Sequence, residues 1–594
     1  VIRVILFLLK CIVGLLASVG LLVVALGLVG LFAWRDLAGT FGEAEPVAAL
    51  PDNMVVELDL ARGVVEREQS SFPPAFDGAW VLPDLIAAIE DAAADPQVDG
   101  LLVRLGAGGM NLAQAQEIRA ALQTFRESEK FALGFAESFG EAGDPTLHYY
   151  LGTALDEIWL QPSGDLALTG FLLEQPYMRR ALAEIGIEGR FGQREAYKGA
   201  VDPLTRDAMA PEVRRNLNAL LDSWGDQVAG AIAERQDLDL AAARRLIDRG
   251  PYLAEQAEAA GLVDRLGYLD EFYDYGTRFS ERVDFARYLT QREGPMPAEG
   301  APEVAVVYGL GPVMLGHADE GDPFNEPAMT SGRIVAALNA AAENPAVQAV
   351  IFRIDSPGGS AVASDAIWRA VGQVREAGKP VVVSMGGVAA SGGYYVAAGA
   401  DRILALPGTI TGSIGVVSGK FVLSGLWREL EVNWDRVQAG ANAGYWSANR
   451  DFTNSQWQTL QEGLDAVYRD FLGVVADGRG MEVEAVREIA GGRVFSGADA
   501  LDNGLIDELG GFSAAVAAAK EEAGIAPETE VWLVEYPEIP PFQQFLRDLA
   551  GLQADAASLT RLAQVVDRLE PMLRMMGAYE SSGAQMRATP MLER

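Results

Sequence analysis

Asp95-Pro96-Gln97-Val98-Asp99-Gly100-Leu101-Leu102-Val103-Arg104-Leu105 and Asn344-Pro345-Ala346-Val347-Gln348-Ala349-Val350-Ile351-Phe352-Arg353-Ile354 are two versions of one pattern, 249 residues apart. Both run on into a glycine-bearing turn, an amphipathic stretch, and a lysine, Lys130 or Lys379, ahead of another apolar run. Farther along, Tyr149-Tyr150-Leu151 parallels Tyr394-Tyr395-Val396, and Ala260-Gly261-Leu262-Val263-Asp264 parallels Asn503-Gly504-Leu505-Ile506-Asp507. Self-similarity on this scale marks a tandem duplication. Within each copy, short β-branched runs (304–308, 349–354, 381–384) alternate with helical-period segments such as 364–377. That alternation predicts an α/β fold with crossover units and a largely parallel sheet.

The remainder of the chain is arranged around the two copies. Cys11 to Trp34 is an uninterrupted run of 24 uncharged residues, long enough to span a bilayer. Arg3 and Lys10 precede it, while Asp36, Glu43 and Glu45 follow Arg35, so the positive-inside rule puts the N-terminus in the cytoplasm and the bulk outside. The run exceeds a signal-peptide core and Phe32-Ala33-Trp34-Arg35 offers no good cleavage site, which favours a retained anchor. The expected division is an anchor at 1–36, a first repeat at 45–285, a second at 303–535 and an appendage at 536–594. Residues 284–302, centred on Arg292-Glu293-Gly294-Pro295-Met296-Pro297, read as the linker. The amphipathic stretch 559–575 reads as a packing or assembly element, or as a plain surface helix.

Composition narrows the chemistry. With 83 Asp and Glu against 47 Lys and Arg, the net charge of −36 repels polyanions and excludes nucleic acid as a natural partner. Cys11 is the single cysteine, so neither a disulfide framework nor a cysteine-based metal site can be built. The two histidines, His148 and His317, stand in no motif, which leaves a Ser-His-Asp triad without a recognisable base.

The informative segment is Met385-Gly386-Gly387-Val388-Ala389-Ala390-Ser391-Gly392-Gly393-Tyr394-Tyr395, directly after the run 381–384. A serine flanked by small residues at a strand-to-helix turn presents its hydroxyl, and the next N–H can point at a developing oxyanion. The same composition also suits a helix-packing turn. A second glycine turn, Asp355-Ser356-Pro357-Gly358-Gly359-Ser360, follows the run 349–354. Ligands of parallel sheets gather beyond the carboxyl ends of strands, so the two turns would face one site, with Gly359 and Gly392 as candidate oxyanion donors.

Ser356-Pro357-Gly358-Gly359, Ala389-Ala390-Ser391-Gly392-Gly393-Tyr394, Leu406-Pro407, Thr411-Gly412-Ser413-Ile414-Gly415 and Gly504-Leu505-Ile506-Asp507 resemble the signature series of signal peptide peptidase A. The duplication and the anchor resemble its long, two-repeat form. The resemblance implies a tandem Clp-protease/crotonase-like β-α superhelical domain preceded by one transmembrane helix. It also implies a serine-lysine peptidase acting on signal-peptide remnants and other apolar peptides, assembled into ring-like tetramers. The corresponding location is the bacterial inner membrane, with the catalytic domains periplasmic.

A serine hydroxyl needs a base, and an amine is the alternative to histidine. The stretch 438–450 of the second repeat, where the short family form carries its lysine, holds none. Arg194-Glu195-Ala196-Tyr197-Lys198-Gly199-Ala200-Val201-Asp202-Pro203 in the first repeat resembles the general-base segment of the long form. At the 249-residue offset Lys198 falls on Ser447, while the tyrosine pairs set Thr146 opposite Ser391. The expectation is one composite site per chain, with Ser391 as nucleophile and Lys198 as base. To act near neutral pH, the amine must fall from about 10.4 to about 7 or 8 through desolvation. Ser413 matches the family serine that orients the amine, or is a plain turn hydroxyl. The mechanism requires no metal or organic cofactor. A crotonase-like acyl-CoA enzyme and an inactive membrane scaffold are the competing readings.

Overall fold

The structure, a computed structural model, describes residues 49–67, 78–141, 145–292, 297–298, 300–316 and 328–537. The chain divides into a unit of Val1–Pro51 and a unit of Asp52–Arg594 that holds both repeats. The expected anchor, His317 and residues 538–594 of the expected appendage lie outside the described residues. Among the described residues, no helix is long and apolar enough to cross a membrane.

The first repeat contains β1 (Met54–Asp59), β2 (Val98–Arg104), β3 (Phe131–Ala136), β4 (Glu157–Leu160), β5 (Glu188–Gln193), β6 (Arg265–Leu266) and β7 (Glu281–Asp284). All but β5 form one parallel sheet in the order β6-β4-β3-β2-β1-β7. Its helices include α1 (Leu82–Ala94), α2 (Leu112–Glu127), α3 (Pro145–Gly152), α4 (Arg179–Glu184), α5 (Pro211–Gln236) and α6 (Phe285–Gln291). The second repeat contains β8 (Glu303–Leu310), β9 (Val347–Ser356), β10 (Val381–Ala390), β11 (Arg402–Ala405), β12 (Ile410–Gly412), β13 (Val417–Val422), β14 (Val494–Ser496), β15 (Glu508–Leu509) and β16 (Trp532–Tyr536). Its sheet runs β14-β12-β10-β9-β8-β16, with β11 pairing the first half of β10 and also β15. Only the β14–β12 pair in this sheet is antiparallel. Helices α7 (Ser331–Glu343), α8 (Ala361–Glu376), α9 (Gly392–Ala397) and α10 (Ser424–Glu429) follow the order of their counterparts.

The central strands are apolar along their length because helices cover both faces of a parallel sheet, leaving no solvent side for polar alternation. Val350, Ile351 and Phe352 on β9 and Val381, Val382 and Val383 on β10 are fully buried. Side chains cap the starts of α2, α6 and α8. Asn111 and Gln114 form a capping box on α2, and the Ser360 side chain accepts from the Ala363 N–H on α8.

Two differences from the sequence expectation bear on the site. β10 does not stop at 384: it runs through Gly386 and Gly387 to Ala390, so the glycine pair is a bulge inside a strand. Residues 284–302 are not linker throughout, because 285–291 form α6, whose Phe285 and Tyr288 are fully buried and whose apolar side chains hold it on the first repeat.

The repeats dock through groups that neither sheet satisfies by itself. β5 pairs antiparallel with β13 over six residues. On α5 the Asn216 amide bonds both polar groups of Val494, at 2.7 and 2.8 Å, as a strand neighbour would. Arg353 of β9, only 1% exposed, donates to Glu66 at 2.9 Å, to Glu117 at 3.0 Å and to Ser384 at 2.8 Å. Burial works against its charge, but Glu117 and Glu66 outweigh that and hold the guanidinium above its ordinary value. Both carboxylates come from the first repeat and are buried. Arg353→Met leaves them unpaired in the interior and is expected to destabilise the protein by about 3–5 kcal/mol. Thermal melting checks this, and an unchanged melting temperature would contradict the docking role.

Candidate active site

The nucleophile candidate stands on a strained corner. Ser391 follows β10 directly, with φ 55° and ψ −116°, and caps α9. A non-glycine residue at positive φ costs on the order of 1–3 kcal/mol, and here the Ser391 N–H is held to Gly412 O at 2.8 Å. The turn after β9 packs onto this corner. A Cβ on Gly358, whose φ is 95°, would lie 2.6 Å from Gly392 N and 2.7 Å from the Ser391 Cβ. A Cβ on Gly392 would lie 2.6 Å from Ser364 Oγ and 3.1 Å from Gly359 N. Glycine is therefore required by close approach at both places, and the Gly359 and Gly392 amides lie side by side next to Ser391.

Lys198 arrives from the other repeat. β5 carries the chain out along β13, Arg194 N–H extends that ribbon to Val416 O at 2.9 Å, and Tyr197 N–H bonds Gly491 O at 3.1 Å. The Lys198 side chain, 5% exposed, sets Nζ 2.9 Å from Ser391 Oγ, 2.9 Å from Ser413 Oγ and 2.7 Å from Ser413 O. Ser413 is itself at positive φ, 52°, and its N–H bonds Arg493 O at 2.6 Å. Burial lowers the Lys198 amine to about 8. The five residues expected at the site thus converge: Ser391, Lys198, Ser413, Gly359 and Gly392.

Two more glycines back the lysine, and of them Gly492 falls in no quoted motif. Gly492 backs the Lys198 main chain, since a Cβ there would lie 2.6 Å from its N, and Gly415 lies against its Cδ at 3.2 Å on the same measure. The pair Gly491-Gly492 was the available signal, in a region distant from every quoted motif.

The equivalent corner of the first repeat is closed. Thr146 is buried and its hydroxyl donates to Gly170 O at 3.3 Å. His148 is buried in the same repeat, with Nε2 3.0 Å from Gly108 O. Matching α4 to α10, 179 to 424, reduces the offset here to 245 and places Ala443, rather than Ser447, opposite Lys198. The first repeat has the longer loop between β3 and α3, which accounts for the change in offset.

A parallel α/β sheet with a half-buried serine corner, paired amides and a buried amine defines a Clp protease-like serine peptidase. The sequence agrees, matching Clp protease over residues 326–411 and Peptidase family S49 over 139–277 and 373–526, one S49 stretch in each repeat. It is 30% identical over 542 residues to Serine protease SPPA, chloroplastic, of Arabidopsis thaliana, covering 87% of this chain and 77% of that one. It is 31% identical over 468 residues to Protease 4 of Haemophilus influenzae, covering 75% and 74%. A shorter relative in Enterococcus faecium, named as a signal peptide peptidase SppA, is 31% identical over 223 residues, covering 38% of this chain and 64% of its own. The chain belongs to peptidase family S49, as a tandem duplication, and is a serine peptidase.

The lowered amine links stability to pH. Burial penalises the ammonium, so the folded protein binds that proton less tightly than the unfolded chain does. The penalty is complete below pH 8, shrinks as the pH rises from there, and is gone above about 10.4. Lys198→Met has no proton to lose. The stability difference between variant and wild type is expected to move in favour of wild type by on the order of 3 kcal/mol from pH 8 to about 10.4. Denaturant titrations across that range measure it, and a flat difference would rule out the lowered amine.

Proposed function

We propose that this protein cleaves apolar peptides, cleaved signal peptides among them, with Ser391 as nucleophile and Lys198 as general base. The observation that carries the reading is the 2.9 Å contact between Lys198 Nζ and Ser391 Oγ, made by a buried amine lowered to about 8. The neutral amine accepts the Ser391 proton as Oγ bonds to the scissile carbonyl carbon, and the carbonyl oxygen becomes an anion facing the Gly359 and Gly392 N–H groups. The intermediate collapses as the C–N bond breaks and the Lys198 ammonium returns the proton to the leaving amine. Water then attacks the acyl-enzyme with the same base. Ser413 holds the amine in register through its hydroxyl and its carbonyl.

Support for apolar substrates lies beside the oxyanion turn. Val313 bridges Gly359, and Met314, Leu315 and Val362 are exposed around it. The name of the Enterococcus faecium relative supports signal peptides as one substrate class. The run 11–34 supports single-pass anchoring, with the N-terminus cytoplasmic and the peptidase repeats on the outer, periplasmic side of a bacterial inner membrane.

Ser391→Ala is expected to abolish fluorophosphonate labelling and to lower kcat/KM on an apolar peptide by about 10³-fold or more, and Lys198→Ala to do comparable damage to turnover. Wild-type kcat/KM is expected to rise through an ionisation near pH 8. Unchanged hydrolysis in either variant would defeat the dyad.

The duplication also supports a homo-oligomer, which the family resemblance makes a tetramer. The 245 offset makes 433–438 the counterpart of β5 and 172–177 the counterpart of β13. β5 and β13 pair with each other, whereas 172–177 and 433–438 lie outside any helix or strand, with Leu172 82% and Trp434 58% exposed. Repeating the β5–β13 register between copies sets Glu174 opposite Arg436 and Leu173 opposite Val437. Within the chain Gly186 packs on Gly425. Their counterparts are Glu431, which keeps a positive φ of 56°, and Arg180, an opposite-charge pair. Such head-to-tail contacts close into rings when the rotation permits. Glu431→Arg is expected to dissociate the assembly in light scattering, and adding Arg180→Glu to restore it. A single variant with unchanged mass would refute this contact.

A further inference from the structure

The serine corner and the oxyanion turn are joined by a bulge for which the reaction chemistry gives no reason. β9 and β10 pair Ile354 with Met385 and then Ser356 with Ala389, so β10 takes four steps where β9 takes two. The surplus falls at Gly386, Gly387 and Val388, which have no partner in the β9 register. Asp355 lies across the gap. Its Oδ1 accepts from the Val388 N–H at 3.0 Å. On the far side of the bulge, Thr409 Oγ1 donates to Gly386 O at 2.8 Å.

The first repeat closes over the same three residues. A Cβ on Gly387 would lie 2.5 Å from Asn111 Nδ2, and one on Gly386 would lie 3.4 Å from both Asp355 Oδ2 and Glu66 Oε1. Glu66 is in turn fixed by Arg353, which shares a face of β9 with Asp355 because strand side chains alternate. Burial pushes the Asp355 carboxyl up to about 6, with Glu66 adding to the rise and the Val388 N–H, Arg353 and the Gly387 N–H opposing it. At neutral pH the group is an anion accepting charge-assisted bonds from the bulge.

We propose that Asp355 is a positioning residue for the oxyanion site: by clamping the 386–388 bulge to the end of β9, it sets the separation between the Ser356–Ser360 turn and Ser391. The placement argues for this, since Asp355 immediately precedes the turn that brings Gly359, while Val388 stands three residues before Ser391. One carboxylate therefore fixes both sides of the pocket that receives the oxyanion. Packing of Asn111 and Glu66 on the outer side makes the docking of the repeats part of the same adjustment. The inference rests on Gly359 and Gly392 being the oxyanion donors.

Kinetics of the full-length enzyme test it, together with a peptide aldehyde that forms a tetrahedral adduct with Ser391. Displacing reacting groups by about 1 Å costs on the order of 10²-fold in rate. Asp355→Ala is expected to lower kcat by about 10- to 100-fold with KM within about twofold, and to weaken the aldehyde inhibition constant by the same factor as kcat. Asp355→Asn keeps one acceptor for the bulge and is expected to recover part of both losses. Should the alanine variant fail to fold, the asparagine variant carries the test alone, with a parallel loss of about 3- to 10-fold in kcat and aldehyde affinity expected. A folded Asp355 variant with wild-type kcat, or one that loses kcat while aldehyde affinity is unchanged, would overturn the positioning role alone. A wild-type enzyme that neither turns over the peptide nor binds the aldehyde would overturn the Ser391 reading and this inference with it.

Discussion

The structure depends on one desolvated amine crossing from one repeat to the other. Lys198 belongs to the first repeat, yet the three oxygen atoms around its Nζ belong to Ser391 and Ser413 of the second. A lysine can be held at 5% exposure only if the surrounding packing leaves no route for water. That requirement falls on the interface. The β5–β13 ribbon, the Gly491-Gly492 loop and the Asn216 amide on β14 each fix the approach of the lysine segment to within hydrogen-bond geometry. The duplication therefore does more than double the fold: a side chain of one copy completes a polar cluster in the other.

Strain and charge are concentrated at the same seam. Ser391 and Ser413 both sit at positive φ, a conformation that persists in non-glycine residues only where neighbours over-determine it. Here the neighbours are backbone groups, Gly412 O of β12 for Ser391 and Arg493 O, just before β14, for Ser413. The Glu66–Arg353–Glu117 cluster lies behind them in the interior. Buried ion pairs are poor sources of stability compared with apolar packing, but they tolerate little displacement. An interface built on them has one docked arrangement, which suits a site shared between two repeats.

Much of this was legible in residue order. The repeated Asp95–Leu105 and Asn344–Ile354 patterns gave parallel α/β copies because buried parallel strands are written as continuous apolar runs. Ser391, Gly359 and Gly392 could be read because the chemistry demands small residues at tight corners, and small residues are conspicuous. Less legible were features defined by partners distant in sequence. The extension of β10 through Gly386 and Gly387 looked like a turn, since a glycine pair signals a turn and a bulge alike. Helix α6 was hidden beneath a proline- and glycine-rich stretch, its order coming from Phe285 and Tyr288 packing on a core contributed from elsewhere. The counterpart of Lys198 shifted from Ser447 to Ala443 because an offset counted along the chain cannot register a change in loop length.

The sequence by itself determined that the chain is a duplicated α/β peptidase and that its second copy carries a serine corner but lacks an amine to serve it. Local patterns suffice for the duplication and the corner, because strand periodicity and glycine turns are properties of short segments, while the peptidase reading comes from the likeness of those segments to peptidase family S49. Only the tertiary structure decided that Lys198 reaches Ser391, that the first repeat's own Thr146 corner is closed, that Arg353 binds Glu66 across the repeats and that Asp355 accepts from Val388 at the bulge. The contacts across the repeats rest on separations of about 3 Å between residues 193 and 287 positions apart, Lys198 with Ser391 and Glu66 with Arg353. No short segment encodes such distances; they follow from how two folded copies pack.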